Sequence, residues 1–287
     1  MTTPPMPPLG LHVSTDRGFP AAVESARDLG AEAVQIFTCN PSSWRSPMPD
    51  PRAARAFTDA LRDAGVRCVV SHANYLINLA GSEAPLYQKS CAALTEDLSR
   101  GAAYGLDHCI VHIGSHKGAG LDTGYAQVVA AVEATLAEVP VAGSPRLLLE
   151  NSAGTGNNVG GTFEDLAELM NRLSDHADRV GICFDTCHAH ASGHDMSGSE
   201  MAGDTLEELD SVLGLDRVFV VHANDTQVPA GARADRHWHI GEGLLGDDCF
   251  AYLMHDPRTA RLPFILETPG DEQVEGRRNL ERLRSLR

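Results

Sequence analysis

No stretch of the 287-residue chain approaches the roughly 18–20 consecutive apolar residues that a membrane-spanning helix requires, so bilayer insertion by that route is not expected. The opening MTTPPMPPLG carries four prolines and no apolar core; residues 1–9 read as a short Pro-rich extended arm rather than a signal peptide, and a cytoplasmic location is expected. Closely spaced cysteine pairs are missing as well. The seven cysteines include no CxxC, and their odd number fits free thiols in a reducing compartment better than a disulfide framework. Cys183 and Cys187 invite a zinc-pair reading, but the strand they end would hold them well apart, against the usual spacing. Positive charge is also scarce. With 39 acids against 23 bases the formal charge is −16, which excludes a broadly basic nucleic-acid surface but leaves room for one DNA-binding face. Lys89 and Lys117 are the only lysines, so arginine, which suits bidentate phosphate contacts, supplies the other 21 bases. Each divalent cation held by carboxylates would cancel two of the negative charges.

Short apolar or β-branched runs are present from end to end, at residues 10–14, 31–37, 67–72, 108–114, 146–151, 179–185, 217–225 and 262–268. Helical periodicity fills the gaps at 18–29, 51–65, 85–104, 122–138, 162–175, 203–213, 247–255 and 271–286. Eight strands alternating with eight helices over this length predict an α/β (β/α)₈ TIM barrel, with a doubly wound open sheet as the alternative. No linker or shift in composition divides the chain, so one domain over 1–287 is expected.

The third to eighth strands each end in a side chain that binds metals: His72, His112, Glu150, Asp185, His222 and Glu267. In a parallel barrel all strand C-termini open on one face, so six residues distant in sequence converge there. A lone polar residue at a strand end is ordinarily a hydrogen-bonded surface group; six in succession are hard to explain that way. His108 lies four residues before His112, which on an extended strand is about 13 Å, so it is assigned a structural role. The glycines of NSAGTGNNVGG do not match a dinucleotide-binding fingerprint and read as a flexible loop beside Glu150. Three further candidates follow: His188, in the loop after the sixth strand, and Asp235 and His237 after the seventh. Nine imidazole and carboxylate donors without a thiolate suit zinc and tolerate manganese or iron, and they exceed what one zinc takes. Two or three ions are implied, a set suited to in-line hydrolysis at phosphorus.

The motifs SHANYLINLA (71–80), VHIGSHKG (111–118), LLLENSAGTGNNVG (147–160), FDTCHAHASGHD (184–195), HANDTQ (222–227), ADRHWHIGEGLLG (234–246) and ILETP (265–269) span nearly the whole chain. Their sequence resembles the endonuclease IV family of apurinic/apyrimidinic endonucleases. The resemblance implies a barrel with three Zn²⁺ at its mouth, Mn²⁺ replacing part of them in some cases. His72, His112 and Glu150 would hold one ion; Asp185, His222, Glu267 and the shared Glu150 a second; His188, Asp235 and His237 the third. It also implies hydrolysis of the phosphodiester 5′ to an abasic site in duplex DNA, leaving a 3′-hydroxyl and a 5′-deoxyribose phosphate. Glu150 and Glu267 are then the catalytic carboxylates, and the expected assembly is a monomer. Tyr75 and Leu76 match the family's inserting loop, with Arg45 and Arg236 as further DNA contacts. One departure stands out: some members carry arginine where this chain has Ser42, and serine cannot enter a base stack. Two other functions are compatible with a metal-bearing barrel: a sugar isomerase or epimerase, which has no need of the His188, Asp235 and His237 set, and a barrel that binds zinc without catalysis.

Overall fold

In a computed structural model describing residues 6–287, strands and helices alternate as β1 (Leu9–His12), α1 (Phe19–Leu29), β2 (Ala33–Phe37), α2 (Pro51–Asp63), β3 (Cys68–His72), α3 (Ala84–Tyr104), β4 (His108–His112), α4 (Leu121–Glu138), β5 (Arg146–Glu150), α5 (Phe163–Arg172) and β6 (Val180–Asp185). There follow α6 (Thr186–Ser192), α7 (Gly198–Val212), β7 (Val218–His222), β8 (Asp225–Thr226), β9 (His237–Trp238), α8 (Gly246–His255), β10 (Phe264–Leu266) and α9 (Arg277–Ser285). Eight parallel strands close in the order β1-β10-β7-β6-β5-β4-β3-β2, the expected (β/α)₈ barrel. Local chemistry sets the helix starts. Asp50 caps α2 by accepting from the amides of Arg52 and Ala53, with Pro51 at the first helical position. Thr162 and Asp165 form a reciprocal capping box at α5.

Alternation along the strands divides the barrel interior into layers. Ala33, Cys68, Val70, Ile110, Leu148, Cys183, Val220 and Ile265 form one buried apolar cluster inside the barrel. Two residues further along each strand the same face turns polar, because side chains repeat with period two. Gly10, also on this inner face, lies so close to β2 that a Cβ would overlap the Ala33 carbonyl. The ladder between β6 and β7 shifts register after Ile182, so that Phe219 is passed over and Asp185 comes level with His222. Bulges of this kind re-aim side chains near functional sites.

The structure departs from the sequence reading in several places. Of the Pro-rich arm, residues 1–5 lie outside the described residues; Pro7 and Pro8 accept hydrogen bonds from Arg287 and Phe264, and Leu9 already belongs to β1. His188 is not in a loop but in the first turn of α6, whose N-cap is Asp185: its Oδ1 accepts from the His188 amide at 2.7 Å. Seven residues are too short for an apolar stripe to reveal such a helix. The seventh strand stops at His222, and Asp225–Thr226 pairs antiparallel with His237–Trp238 instead. The glycine loop is pinned rather than free: Asp165 Oδ2 accepts from the amides of Gly160, Gly161 and Thr162, and Val159 bonds to Gly114.

Candidate metal centre

Glu150 occupies the middle of the mouth and is fully buried. Its Oε2 lies 3.2 Å from His72 Nε2 and 3.2 Å from His112 Nδ1, while Oε1 lies 2.9 Å from His222 Nδ1. The two oxygens thus face two different sets of side chains. Donor atoms of His72, His112 and Glu150 fall within 4.8 Å of one another, as do those of Glu150, Asp185, His222 and Glu267. The third set is less separate. Asp235 lies 3.3 Å from both His188 Nε2 and His237 Nε2, yet donor atoms of His188 and His237 also lie within 4.8 Å of one of Asp185, and those of Asp235 and His237 within 4.8 Å of Cys187 Sγ. Asp185 therefore stands between the second and third sets, one oxygen capping α6 and the other facing the mouth. Burial pushes the Cys187 thiol pKa well up, keeping it protonated.

The donor chemistry fits divalent cations on two counts. First, the histidines are held so that one ring nitrogen faces the acids. His72 Nδ1 donates to the Ala73 carbonyl at 2.9 Å, His188 Nδ1 to the Asn151 carbonyl at 2.9 Å, and His237 Nδ1 to the Glu267 carbonyl at 3.3 Å. Each then offers Nε2 to the mouth, and that of His237 is buried without a hydrogen-bond partner. Such backing bonds fix the tautomer a metal ligand needs. Second, among the described residues the ion pairs of Glu150, Asp185, Asp235 and Glu267 are with histidine, never with arginine or lysine. Burying carboxylates without a cation is costly.

The electrostatics agree. Burial opposes ionisation of Glu150, but the imidazoles of His112 and His222 outweigh it and hold the carboxyl well below its usual range. Glu267 is likewise held down, to about 2, by His222 against burial and the repulsion of Glu150. His188 resists burial and is raised to about 10 by Asp185, Asp235 and Glu150. A site that holds protons this tightly on its imidazoles has a negative potential, which a metal ion would satisfy by replacing those protons.

Sequence reasoning passed over several polar residues that surround these groups. Asn151 clamps the Asp185 backbone through both ends of its amide, and Asn224 donates to Asp185 Oδ2 while accepting from the Glu267 amide. His12 and Gln35, from the two strands that supply no predicted ligand, also face the mouth. The only signal for them in sequence was their period-two spacing from Gly10 and Ala33. Of the DNA-contact candidates, Tyr75 is 57% exposed at the rim, edge-on to Phe37 at 5.1 Å, and Leu76 is half-buried beside it. Arg45, Arg236 and Ser42 are exposed; the Arg236 guanidinium donates to the carbonyl of Asp235. His108 lies at the start of β4 against Phe219, away from the mouth.

A closed barrel with acids and imidazoles gathered at its mouth defines the class, and residues 23–286 match the family described as xylose isomerase-like TIM barrel. The chain is 41% identical over 282 residues to probable endonuclease 4 of Chloroflexus aurantiacus, covering 98% of each chain. It is 40% identical to probable endonuclease 4 of Methanoculleus marisnigri over 97% of this chain and 98% of that one. The crystal structure of endonuclease IV from Thermus thermophilus superposes with a TM-score of 0.83 at 38% identity, covering 98% of both chains. The chain belongs to the endonuclease IV family.

Proposed function

We propose that the protein is a metal-dependent DNA-repair endonuclease that cleaves the phosphodiester 5′ to an abasic site in duplex DNA, leaving a 3′-hydroxyl and a 5′-deoxyribose phosphate. The observation that carries this reading is the gathering of His72, His112, Glu150, Asp185, His188, His222, Asp235, His237 and Glu267 at one barrel mouth, in a chain of this family. His72, His112 and Glu150 would hold one Zn²⁺; Glu150, Asp185, His222 and Glu267 a second; His188, Asp235 and His237 a third, with Mn²⁺ accepted in part. Bound there, the ions supply water activation and charge neutralisation at phosphorus. Glu150 keeps the first two sets in register by presenting one oxygen to each. Glu267 lines an open cavity of about 720 Å³ with Tyr75 and Arg17, so its carboxylate borders the space substrate would enter and would take the proton of the attacking water.

An abasic nucleotide lacks a stacked base, so extruding it costs least there. Tyr75 and Leu76 at the rim would fill the gap left in the duplex, with Arg45 and Arg236 on its phosphates. Ser42 leaves the base stack uninvaded at its position. The seven cysteines are all free, in keeping with a reducing cytoplasm, and no helix among the described residues is long and apolar enough to cross a membrane. A monomer carries all nine donors, so the reading needs no partner subunit.

The test is incubation with duplex DNA carrying one tetrahydrofuran abasic analogue, before and after prolonged chelation. Incision on the 5′ side by the metal-loaded protein alone is expected. Its absence sinks the endonuclease reading and returns the sugar isomerase and the non-catalytic barrel to consideration.

A further inference from the structure

Six barrel strands bring imidazole or carboxylate to the mouth; the remaining two bring His12 on β1 and Gln35 on β2, and the bonds between them determine where protons sit. Glu267 fixes the first of these. Its carboxylate accepts only, so the Gln35 group 2.6 Å from Oε1 must be the amide NH₂. The opposite amide orientation would set oxygen against oxygen. With NH₂ fixed there, Gln35 Oε1 is the atom 2.8 Å from His222 Nε2, and that nitrogen must carry the proton. His222 Nδ1 is thereby turned toward Glu150, Glu267 and Asp185, at 2.9, 3.3 and 3.8 Å. The second amide hydrogen of Gln35 points to His12 Nδ1 at 3.3 Å, making that nitrogen an acceptor. A ring that accepts at Nδ1 is neutral and carries its proton on Nε2.

His12 Nε2–H has somewhere to point. The ring, tilted 50° against Phe37 with centroids 4.4 Å apart, lines two cavities that meet at the mouth, of about 530 and 720 Å³. Among the described residues its only side-chain hydrogen bond is the one to Gln35. Gln35 itself is fully buried, so no water competes for its three bonds.

We propose that Gln35 is a positioning residue that orients two rings of the centre: it holds His222 by Nε2 with Nδ1 turned toward the acids, and it holds His12 with Nε2–H presented to the mouth as a donor to a sugar or phosphate oxygen of the bound strand. This rests on the endonuclease reading for the identity of the substrate oxygen, but the placement of the protons does not. Backing residues of this kind typically change metal retention about 10–100-fold when removed. One lost hydrogen bond to substrate changes binding about 2- to 10-fold.

The experiment uses the full-length zinc-loaded protein and the nearly isosteric Gln35→Met. Three readouts apply: zinc retention against a chromogenic chelator, the His12 tautomer by long-range proton–nitrogen correlation, and KM on the tetrahydrofuran duplex. Wild type is expected to show His12 protonated on Nε2; Gln35→Met is expected to lose that signature and release zinc about 10–100-fold more readily. His12→Phe keeps a ring packed against Phe37 without the N–H and is expected to raise KM about 2- to 10-fold with zinc retention unchanged. If Gln35→Met fails to fold, the wild-type protein decides the His12 half: a ring protonated on Nδ1 in place of Nε2 overturns it. Wild-type zinc retention and an unchanged His12 tautomer in Gln35→Met overturn the inference. Failure of the wild-type protein to incise, with the zinc and tautomer shifts present, sinks the endonuclease reading and leaves the proton arrangement standing.

Discussion

Two layers of the same eight strands, one step of alternation apart, differ in almost every physical respect. The lower layer, including Val70, Ile110, Leu148, Val220 and Ile265, is apolar and fully buried. The layer above it consists of His12, Gln35, His72, His112, Glu150, Asp185, His222 and Glu267, most of them equally buried. The first gains from burial, at roughly 25 cal/mol per Å² of apolar surface. The second loses by it unless its charges are matched. The barrel thus concentrates its cost at one end, where cations and substrate relieve it, and supports that end with a core that needs nothing from outside.

Breaking the upper layer should abolish function and leave the fold. Glu150→Gln or His222→Ala is expected to remove most incision, on the order of 10²–10⁴-fold, in a protein whose circular dichroism is unchanged. Wild-type rates in either variant contradict the assignment. Breaking the lower layer should do the reverse. Leu148→Ala is expected to cost about 2–5 kcal/mol in urea unfolding, while the folded fraction keeps its metal content and its incision rate. Metal loss from that variant would show that the layers are not separable.

The separation also explains which parts were legible in the sequence. His72, His112, Glu150, Asp185, His222 and Glu267 stood out because each ends an apolar run with a metal-binding side chain. Gln35 did not, because glutamine lies outside the imidazole and carboxylate donors that suit zinc and its strand continues through Ile36 and Phe37. His12 was hidden by the run Val13–Ser14 that extended its apparent strand. The helix that carries His188 and the two-residue ladder that carries His237 are too short to impose a periodicity. The order of the glycine loop depends on Asp165, a residue of the following helix, which composition within the loop does not record. Barrel class and ligand types follow from local pattern; the bonds that orient those ligands are long-range.

Chelation should sharpen the contrast by a smaller amount. Ions that bind the folded chain stabilise it by mass action, about 2.7 kcal/mol at a hundredfold excess over Kd, so prolonged chelation should lower Tm by several degrees without unfolding the barrel at about 25 °C. An unchanged Tm would mean that the upper layer is not relieved by metal.

The smallest effect is expected at the far rim, where charge is paired by side chains instead. Glu32 accepts from the Leu9 amide and pairs with Arg287 and Arg67, and these partners outweigh burial to hold its carboxyl below the usual range. Because the folded pKa is depressed, this pairing contributes stability above the unfolded pKa of about 4.5 and loses it as pH falls through the folded value. Glu32→Gln should flatten that acid limb by about 0–1 kcal/mol, the partly exposed pair being screened by solvent. A larger change in acid unfolding would show that the rim depends on its charge as heavily as the mouth does.

The most direct measurement titrates metal-free protein with zinc and follows incision of a single-tetrahydrofuran duplex against bound equivalents per chain. No incision is expected without metal, then a rise to a plateau at about three equivalents, with cleavage confined to the 5′ side and a 3′-hydroxyl product. Incision by metal-free protein, or full loading without incision, would contradict a mouth whose buried charge is there to hold metal for hydrolysis.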